Sequence, residues 1–344
     1  MKRLMRLFAP LVLLAVAVLV AACEPTTPRT GAKTPELDAA LLDKEIAVIA
    51  DSVQPAELEV AVQNLEGGEM WAWNGQKAFP LQSVFKMVLG AAVLAEVDAG
   101  RLALDDQITL TEADISPPYS PVADAWPETE TYTVRELLEK AVGDSDNTAA
   151  DVLMKRIGGP GAVTAWLRAK RIKEFRVDRY ERELQPESQG LGSFRIAWKS
   201  WPAWVAARDE IPEAARRKAQ QDYLADPRDT ATASGVLNFL RQLSAGELLK
   251  PASTQLLLKI MTDSPTGEER LKAGLPPGAT IAHKSATAAT DLGLTLATND
   301  VGVVTLKDGR RYAVVVFLAA SSQDDPTRDA AIAEAMRVIV KAAG

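Results

Sequence analysis

The chain of 344 residues holds one cysteine, Cys23, and one histidine, His283. A lone cysteine excludes a disulfide within the chain, and the two residues together cannot furnish a His/Cys zinc site. No second histidine is present to serve a Ser-His-Asp triad, so a serine nucleophile here would rely on lysine or glutamate. Positive charge is also in short supply. The formal net charge is −7 and no basic stripe stands out, which argues against a nucleic-acid partner. Internal repeats are absent. What remains, with 47% hydrophobic and 25% charged residues, is the balance of an ordinary globular protein, long enough for one large domain or two intertwined ones.

The first long apolar run, Leu11 to Val20, follows Lys2, Arg3 and Arg6. That is the pattern of a secretory signal, over residues 1–22. It ends at Val20-Ala21-Ala22-Cys23, which resembles the lipobox of bacterial lipoproteins, cleaved ahead of a lipid-modified cysteine. Residues 23–36 are rich in Pro and Thr and read as a tether holding the domain clear of a membrane surface. The expectations are a lipid anchor at Cys23 and a periplasmic location.

The stretch from Leu81 to Glu96 organises the rest. Between Val84 and Val97 only Lys86 and Glu96 carry charge, so a helix buried on nearly all sides is expected. A lysine near the start of such a helix is costly unless something uses it. Ser83 precedes it by three residues, which puts hydroxyl and amine on one helical face, near the free N–H groups of the helix entrance. A serine, an amine and N–H donors are the parts of an acylatable nucleophile. S-x-x-K alone is weak evidence, since it arises about once by chance in a chain this long.

Ahead of that helix, Thr34-Pro35-Glu36 reads as a cap for a helix burying Leu37, Leu41, Leu42, Ile46 and Ile49. Leu58, Val60 and Val62 alternate with Glu57, Glu59 and Ala61 as in a half-buried strand. Helices are expected from Thr133 to Gly158, interrupted at Gly143 to Asn147, and then from Pro160 to Lys170. Phe175 to Asp229 reads as long and irregular, with Pro212 to Tyr223 helical inside it. Two more helices, Thr230 to Leu243 and Ser253 to Met261, precede strands at Thr280–Ser285 and Leu292–Ala297 and a hairpin over Val301–Leu318. A last helix opens at Asp325-Pro326. The expected fold is α/β (α+β), with an antiparallel sheet of about five strands made by both chain ends, flanked by helices, and an inserted all-helical lobe. In residues, 37–80 and 256–344 form the sheet-containing lobe and 81–255 the helical lobe. A cleft between them is the natural site.

Two further motifs carry chemistry. Ser145-Asp146-Asn147 lies at the helix interruption, where a serine can pass a proton and an asparagine amide can hold a carbonyl. Its chance expectation is roughly 0.05 per chain of this size. Lys284-Ser285-Ala286-Thr287 lies on a strand, where a lysine would attract an anionic group.

S-x-x-K, S-D-N and K-S-x-x in this order resemble the serine β-lactamase and penicillin-binding protein superfamily. Gly100, Tyr119-Ser-Pro-Val122, Thr133-Val-Arg-Glu-Leu137, Asp146-Asn-Thr-Ala-Ala150, Ile157-Gly-Gly-Pro160, Gly246-Glu-Leu-Leu249 and Thr298-Asn-Asp300 are similar to class A β-lactamases. The likeness spans nearly all of residues 37 to 342. It implies a β-lactam hydrolase without metal or cofactor, acting as a monomer, with Ser83, Lys86, Ser145 and Glu181 catalytic. It implies substrate binding by Tyr119, Asn147, Gln185, Lys284, Ser285 and Thr287. Arg179 and Asp229 would form the ion pair closing the Ω loop. Two alternatives stay open, a penicillin-binding-type receptor acylated without turnover and a cell-wall peptidase or esterase.

Glu181, in Asp178-Arg-Tyr-Glu-Arg-Glu-Leu-Gln185, falls where class A enzymes carry the water-activating carboxylate. Gln185 stands where that class usually has asparagine, and Ala286 where it has glycine. No arginine occurs in Leu292 to Ala297, where some members place one for the substrate carboxylate. Residues 186–225 are an insertion in the Ω loop, holding Trp198, Trp201 and Trp204 of the seven tryptophans. Tripling the span between Arg179 and Asp229 costs only about 1 kcal/mol in loop closure. The insertion reads as a small subdomain anchored by tryptophans, or as a lid over the site.

Overall fold

The computed structural model describes residues 36–344. The expected signal, Cys23 and most of the tether lie outside them. Helix α1 (Ala39–Ser52) begins at Asp38, whose carboxylate accepts from Leu41 N at 2.9 Å. The cap therefore falls on Asp38, past the expected Thr34-Pro35-Glu36, because Asp38 has the side chain that reaches the free N–H of the first turn.

Strand β1 (Glu57–Asn64) pairs with β2 (Met70–Trp73). After it comes α2 (Phe85–Asp98), entered through a single 3₁₀ turn at Gln82–Val84. Every residue from Phe85 to Leu94 is buried, as its sequence requires. A π-helical turn at Glu139–Gly143 leads to Ser145 and then α3 (Asn147–Arg156). Helix α4 (Pro160–Ala169) follows.

The stretch read as irregular holds two further helices, α5 (Glu181–Ser188) and α6 (Trp201–Asp209), besides the expected one, α7 (Glu213–Ala225). Pro186 inside α5 and Pro202 near the start of α6 hid the pattern. Proline is tolerated in a first turn, where its missing N–H would be unpaired anyway. Helices α8 (Ala233–Ser244) and α9 (Pro251–Thr262) complete the helical layer.

Three long strands close the chain, β3 (Thr280–Thr287), β4 (Thr295–Thr305) and β5 (Arg311–Ser321), before α10 (Asp325–Ala343). The sheet is antiparallel throughout, in the order β2-β1-β5-β4-β3. Strands from both chain ends therefore share it, as expected.

The segments Leu292–Ala297 and Val301 onward are not separate strands. Both belong to β4, which runs through Thr298-Asn299-Asp300. Those polar residues look like a break but are buried, because each side chain has a partner. Asn299 donates to Pro80 O at 2.9 Å, Asp300 faces His283 Nδ1 at 2.9 Å, and Thr298 accepts from Arg328 Nε at 2.9 Å. Leu292 sits instead in the preceding turn, at φ +50°.

The half-buried pattern expected of β1 is also wrong, for Glu59 and Ala61 are as buried as Leu58, Val60 and Val62. Helices cover both faces of the sheet. Leu58, Val60 and Val62 pack with α1 and α10, while Ala61 joins the larger cluster around α2 and α8. Glu59 Oε1 accepts from Ala233 N at 3.1 Å, at the start of α8. Its Oε2 has no partner among the described residues. Burial pushes this carboxyl up to about 8 against that backbone donor.

Glu59 thus binds its proton more tightly folded than unfolded. Its contribution to stability is complete below the unfolded value and is lost as pH rises toward 8, at no more than about 1.4 kcal/mol per pH unit. Glu59→Gln should flatten the decline of urea-unfolding free energy between pH 5 and 8 relative to the parent chain. Parallel declines would show that the carboxyl does not titrate across that range.

Candidate active site

The buried start of α2, the Ser145 loop, α5 and β3 meet at one cavity of about 440 Å³. Ser83, Tyr119, Ser145, Asn147, Gln185, Ser285 and Thr287 line it. Lys86, Glu181 and Lys284 are buried behind that lining, each no more than 1% exposed.

Lys86 is the hub. Its Nζ lies 3.0 Å from Glu181 Oε1, 2.7 Å from Ser145 O and 2.5 Å from Asn147 Oδ1. The contacts with Ser145 O and Asn147 Oδ1 are hydrogen bonds, and that with Glu181 is an ion pair. Ser83 Oγ has no hydrogen-bond partner among the described residues and stands free at the cavity wall. The residue before it, Gln82, is held at φ +45°, and Ser145 at φ +65°. Both are left-handed conformations that non-glycine residues rarely adopt. Each lies beside a group that faces the cavity, where such strain commonly gathers.

Asp146 fixes the Ser145 loop. It caps α3 by accepting from Ala149 N at 2.8 Å, and it also accepts from Val122 N at 2.7 Å and Ser120 Oγ at 2.8 Å. The Asn147 amide donates to Pro117 O at 3.1 Å while its oxygen faces Lys86. Lys284 Nζ donates to Ser145 Oγ at 3.0 Å. Burial, aided by the nearby Lys86, lowers the Lys284 amine to about 7.

Strand β3 is the sheet edge beside the cavity. Ala288 N donates to Ala297 O on β4. Thr287 is one residue away, so by strand alternation its N–H points to the open edge. Ser285 Oγ donates to Thr266 Oγ1 at 2.8 Å. Gly267, at φ +71°, makes room for it, since a Cβ there would stand 2.7 Å from Ser285 Cβ. The Ala286 methyl is buried within the apolar cluster of the helical side.

Glu181 is the first residue of α5 and is buried rather than exposed on a loop. Gln185, one turn on, donates to Glu181 Oε2 at 2.8 Å. Arg179 Nε lies 2.6 Å from Asp229 Oδ2, and Asp229 Oδ1 accepts from Asp178 N at 2.7 Å and Arg179 N at 3.1 Å. This pair ties the two ends of the inserted segment together. The insertion also reaches the cavity, through Gln189, Trp201 and Trp204. Trp204 is buried and donates to Gln189 Oε1 at 3.2 Å, whereas Trp201 is exposed. Anchored subdomain and cavity wall are one structure.

Sequence reasoning missed several residues. Asp151 accepts from Glu181 N at 2.7 Å, Arg182 N at 3.0 Å and Ser116 Oγ at 2.6 Å, so it fixes the start of α5. Burial, with Glu181 alongside, pushes its carboxyl up to about 7. Its spacing of four from Asn147, on one face of α3, was the available signal. Arg270 donates to Ala286 O at 2.9 Å, Asn299 O at 3.1 Å and Thr287 Oγ1 at 2.6 Å. It thereby places a guanidinium on β3 although Leu292–Ala297 has no arginine. No local pattern marks it. Gln82 was legible only as a polar residue in an apolar approach to the helix.

The likeness to known proteins spans nearly the whole described chain. The profile of the Beta-lactamase enzyme family matches residues 41–343. The extended-spectrum beta-lactamase PER-1 of Pseudomonas aeruginosa is 30% identical over 307 residues, covering 89% of this chain and 86% of its own length. Beta-lactamase VEB-1 of the same organism is 28% identical over 284 residues, covering 82% and 84%. Among solved structures, a beta-lactamase from Chitinophaga pinensis superposes with TM-score 0.74 at 31% identity, over 88% of this chain and 99% of its own. An ancestral Gram-negative class A beta-lactamase gives 0.70 at 34% identity, over 88% and 99%. With nearly its whole folded length matched, the chain belongs to the beta-lactamase enzyme family, as a class A serine member.

Proposed function

We propose that this protein hydrolyses the amide bond of β-lactams through an acyl-enzyme on Ser83, and that water activated by Glu181 releases the product. The observation that carries this reading is the buried contact of Lys86 with Glu181 at 3.0 Å, behind a cavity wall that presents an unpartnered Ser83 hydroxyl. In the acylation step Ser83 Oγ attacks the lactam carbonyl and its proton passes to Lys86, or to Glu181 through water. The oxyanion is held by the N–H groups of Ser83 and Thr287.

The Ser145 hydroxyl, bonded to Lys284 Nζ, gives its proton to the departing lactam nitrogen and regains the Ser83 proton by way of Lys86, so that Glu181 is a carboxylate when deacylation begins. Asn147 and Ser285 hold the substrate's polar groups, Lys284 favours its carboxylate, and Tyr119 lines the mouth. Deacylation then needs a base behind the ester carbonyl. Glu181 fills that role, with Gln185 holding its second oxygen. The amino-terminal pattern adds a place for the reaction, a periplasmic site with the domain tethered to a membrane through lipid on Cys23. Metabolic labelling with a radioactive fatty acid would test that anchor, and loss of label in Cys23→Ala is expected.

Two outcomes test the chemistry. Glu181→Ala should slow deacylation by about 10²–10⁴-fold and leave a persistent lactam adduct on Ser83 in intact-mass spectra, absent in Ser83→Ala. Unchanged turnover would remove Glu181 from the mechanism. A receptor would instead show the stable adduct in the parent chain, and a peptidase or esterase neither turnover nor adduct.

The second outcome concerns pH. Lys284 loses its charge as pH rises through about 7 in the free enzyme, so kcat/KM for a carboxylate-bearing lactam should fall from there upward. Lys284→Arg keeps its charge throughout and should lose this basic limb. The same limb in both proteins would assign it to another group.

A further inference from the structure

The inserted segment does more than wall the cavity. Tyr223, on α7, is buried against Leu184, Ala288 and Leu296. Its hydroxyl accepts a hydrogen bond from Gln82 Nε2 at 2.7 Å. Gln82 Oε1 in turn accepts from Gln185 Nε2 at 3.0 Å, and the same Gln185 nitrogen donates to Glu181 Oε2 at 2.8 Å. An unbroken chain of bonds therefore runs from the insertion, past the residue that precedes Ser83, to the carboxylate beside Lys86.

The order of donors matters. An amide presents an acceptor on one side and donors on the other, so its orientation is set by its neighbours. With the Gln82 nitrogen on Tyr223, its oxygen is left toward Gln185. That arrangement commits the Gln185 NH₂ group to Glu181 and leaves Gln185 Oε1 without a partner among the described residues, on a side chain that lines the cavity. A carboxylate that accepts an N–H is held in place and in its charged form.

The platform under this chain is firm. Helix α7 is tied to the turn between β3 and β4 by the Arg216–Asp291 ion pair and by Gln220 Nε2 donating to Asp291 O at 2.8 Å. Elsewhere in the insertion, Lys199 donates to Ala123 O at 2.9 Å, four residues after Tyr119.

We propose that Tyr223 is a positioning residue for deacylation, acting through Gln82 and Gln185 on the Glu181 carboxylate. This rests on the reading of Glu181 as the base for the hydrolytic water. The inserted segment is then part of the catalytic framework, in addition to being a wall.

Tyr223→Phe tests it, because the ring keeps its packing and only the hydroxyl is lost. Gln82 then has a buried amide nitrogen without a partner, and the orientation of both amides is released. Acylation and deacylation rate constants would be measured separately by quenched-flow with intact-mass detection, on a lactam that acylates quickly. Deacylation should fall about tenfold, the scale of a modest misplacement of a catalytic group. Acylation should stay within about twofold, because the Lys86 route for the Ser83 proton does not pass through Gln185.

Two further readouts separate positioning from general loosening. In the Gln185→Ala background, adding Tyr223→Phe should cost nothing more, the non-additivity of groups acting in series. A purely structural role would lower the melting temperature and reduce both rate constants together.

Equal losses in both steps, additivity with Gln185→Ala, or an unchanged deacylation rate would each overturn the proposal. The parent reading is distinguished by Glu181→Ala. If that variant accumulates adduct while Tyr223→Phe deacylates normally, only the relay is wrong. If Glu181→Ala deacylates like the parent chain, both readings fall.

Discussion

The structure depends on one expensive contact, the ion pair between Lys86 and Glu181 in a site almost without solvent. Taking both charges out of water costs several kcal/mol per ion before any attraction is counted. The surroundings offset this by giving each charge further polar partners. Lys86 has the Ser145 carbonyl and the Asn147 amide oxygen, and Glu181 has the Gln185 amide. Asp151, in its turn, holds the backbone N–H of Glu181. A pair maintained at that cost, next to a free serine hydroxyl, is better explained by chemistry than by stability.

Much of the fold serves to bring those two charges together. Lys86 is on a helix sealed on all sides, so its position is fixed by packing that tolerates little movement. Glu181 arrives from about a hundred residues later on a segment that would be free to swing. The Arg179–Asp229 pair and the Asp151 carboxylate stop it from doing so. The insertion is consistent with this demand. It enlarges the loop that carries Glu181, yet it fastens that loop to the β3–β4 turn, to the segment after Tyr119 and to Gln82.

What could be read from the sequence follows from how local each signal is. Ser83 and Lys86 are one helical turn apart, and Ser145-Asp146-Asn147 is contiguous, so both were visible as patterns. The sheet shared by the chain ends followed from strand patterning at either terminus. Arg270, Tyr223 and Gln82 gave no such sign, because their partners are distant in sequence and only folding creates the contacts. The same reason explains the false break in β4. Thr298, Asn299 and Asp300 look like loop residues until Arg328, Pro80 and His283 come to satisfy them. Glu59 misled in the opposite direction, since alternation alone could not reveal that helices cover both sheet faces.

A crystal structure of the protein trapped with a slowly hydrolysed β-lactam addresses the whole account at once. Continuous density is expected from Ser83 Oγ to the opened lactam, with its carbonyl oxygen between the N–H groups of Ser83 and Thr287. A water is expected between the Glu181 carboxylate and the ester carbon. A lactam bound without a link to Ser83, or a Glu181 side chain turned away from that ester, would contradict it.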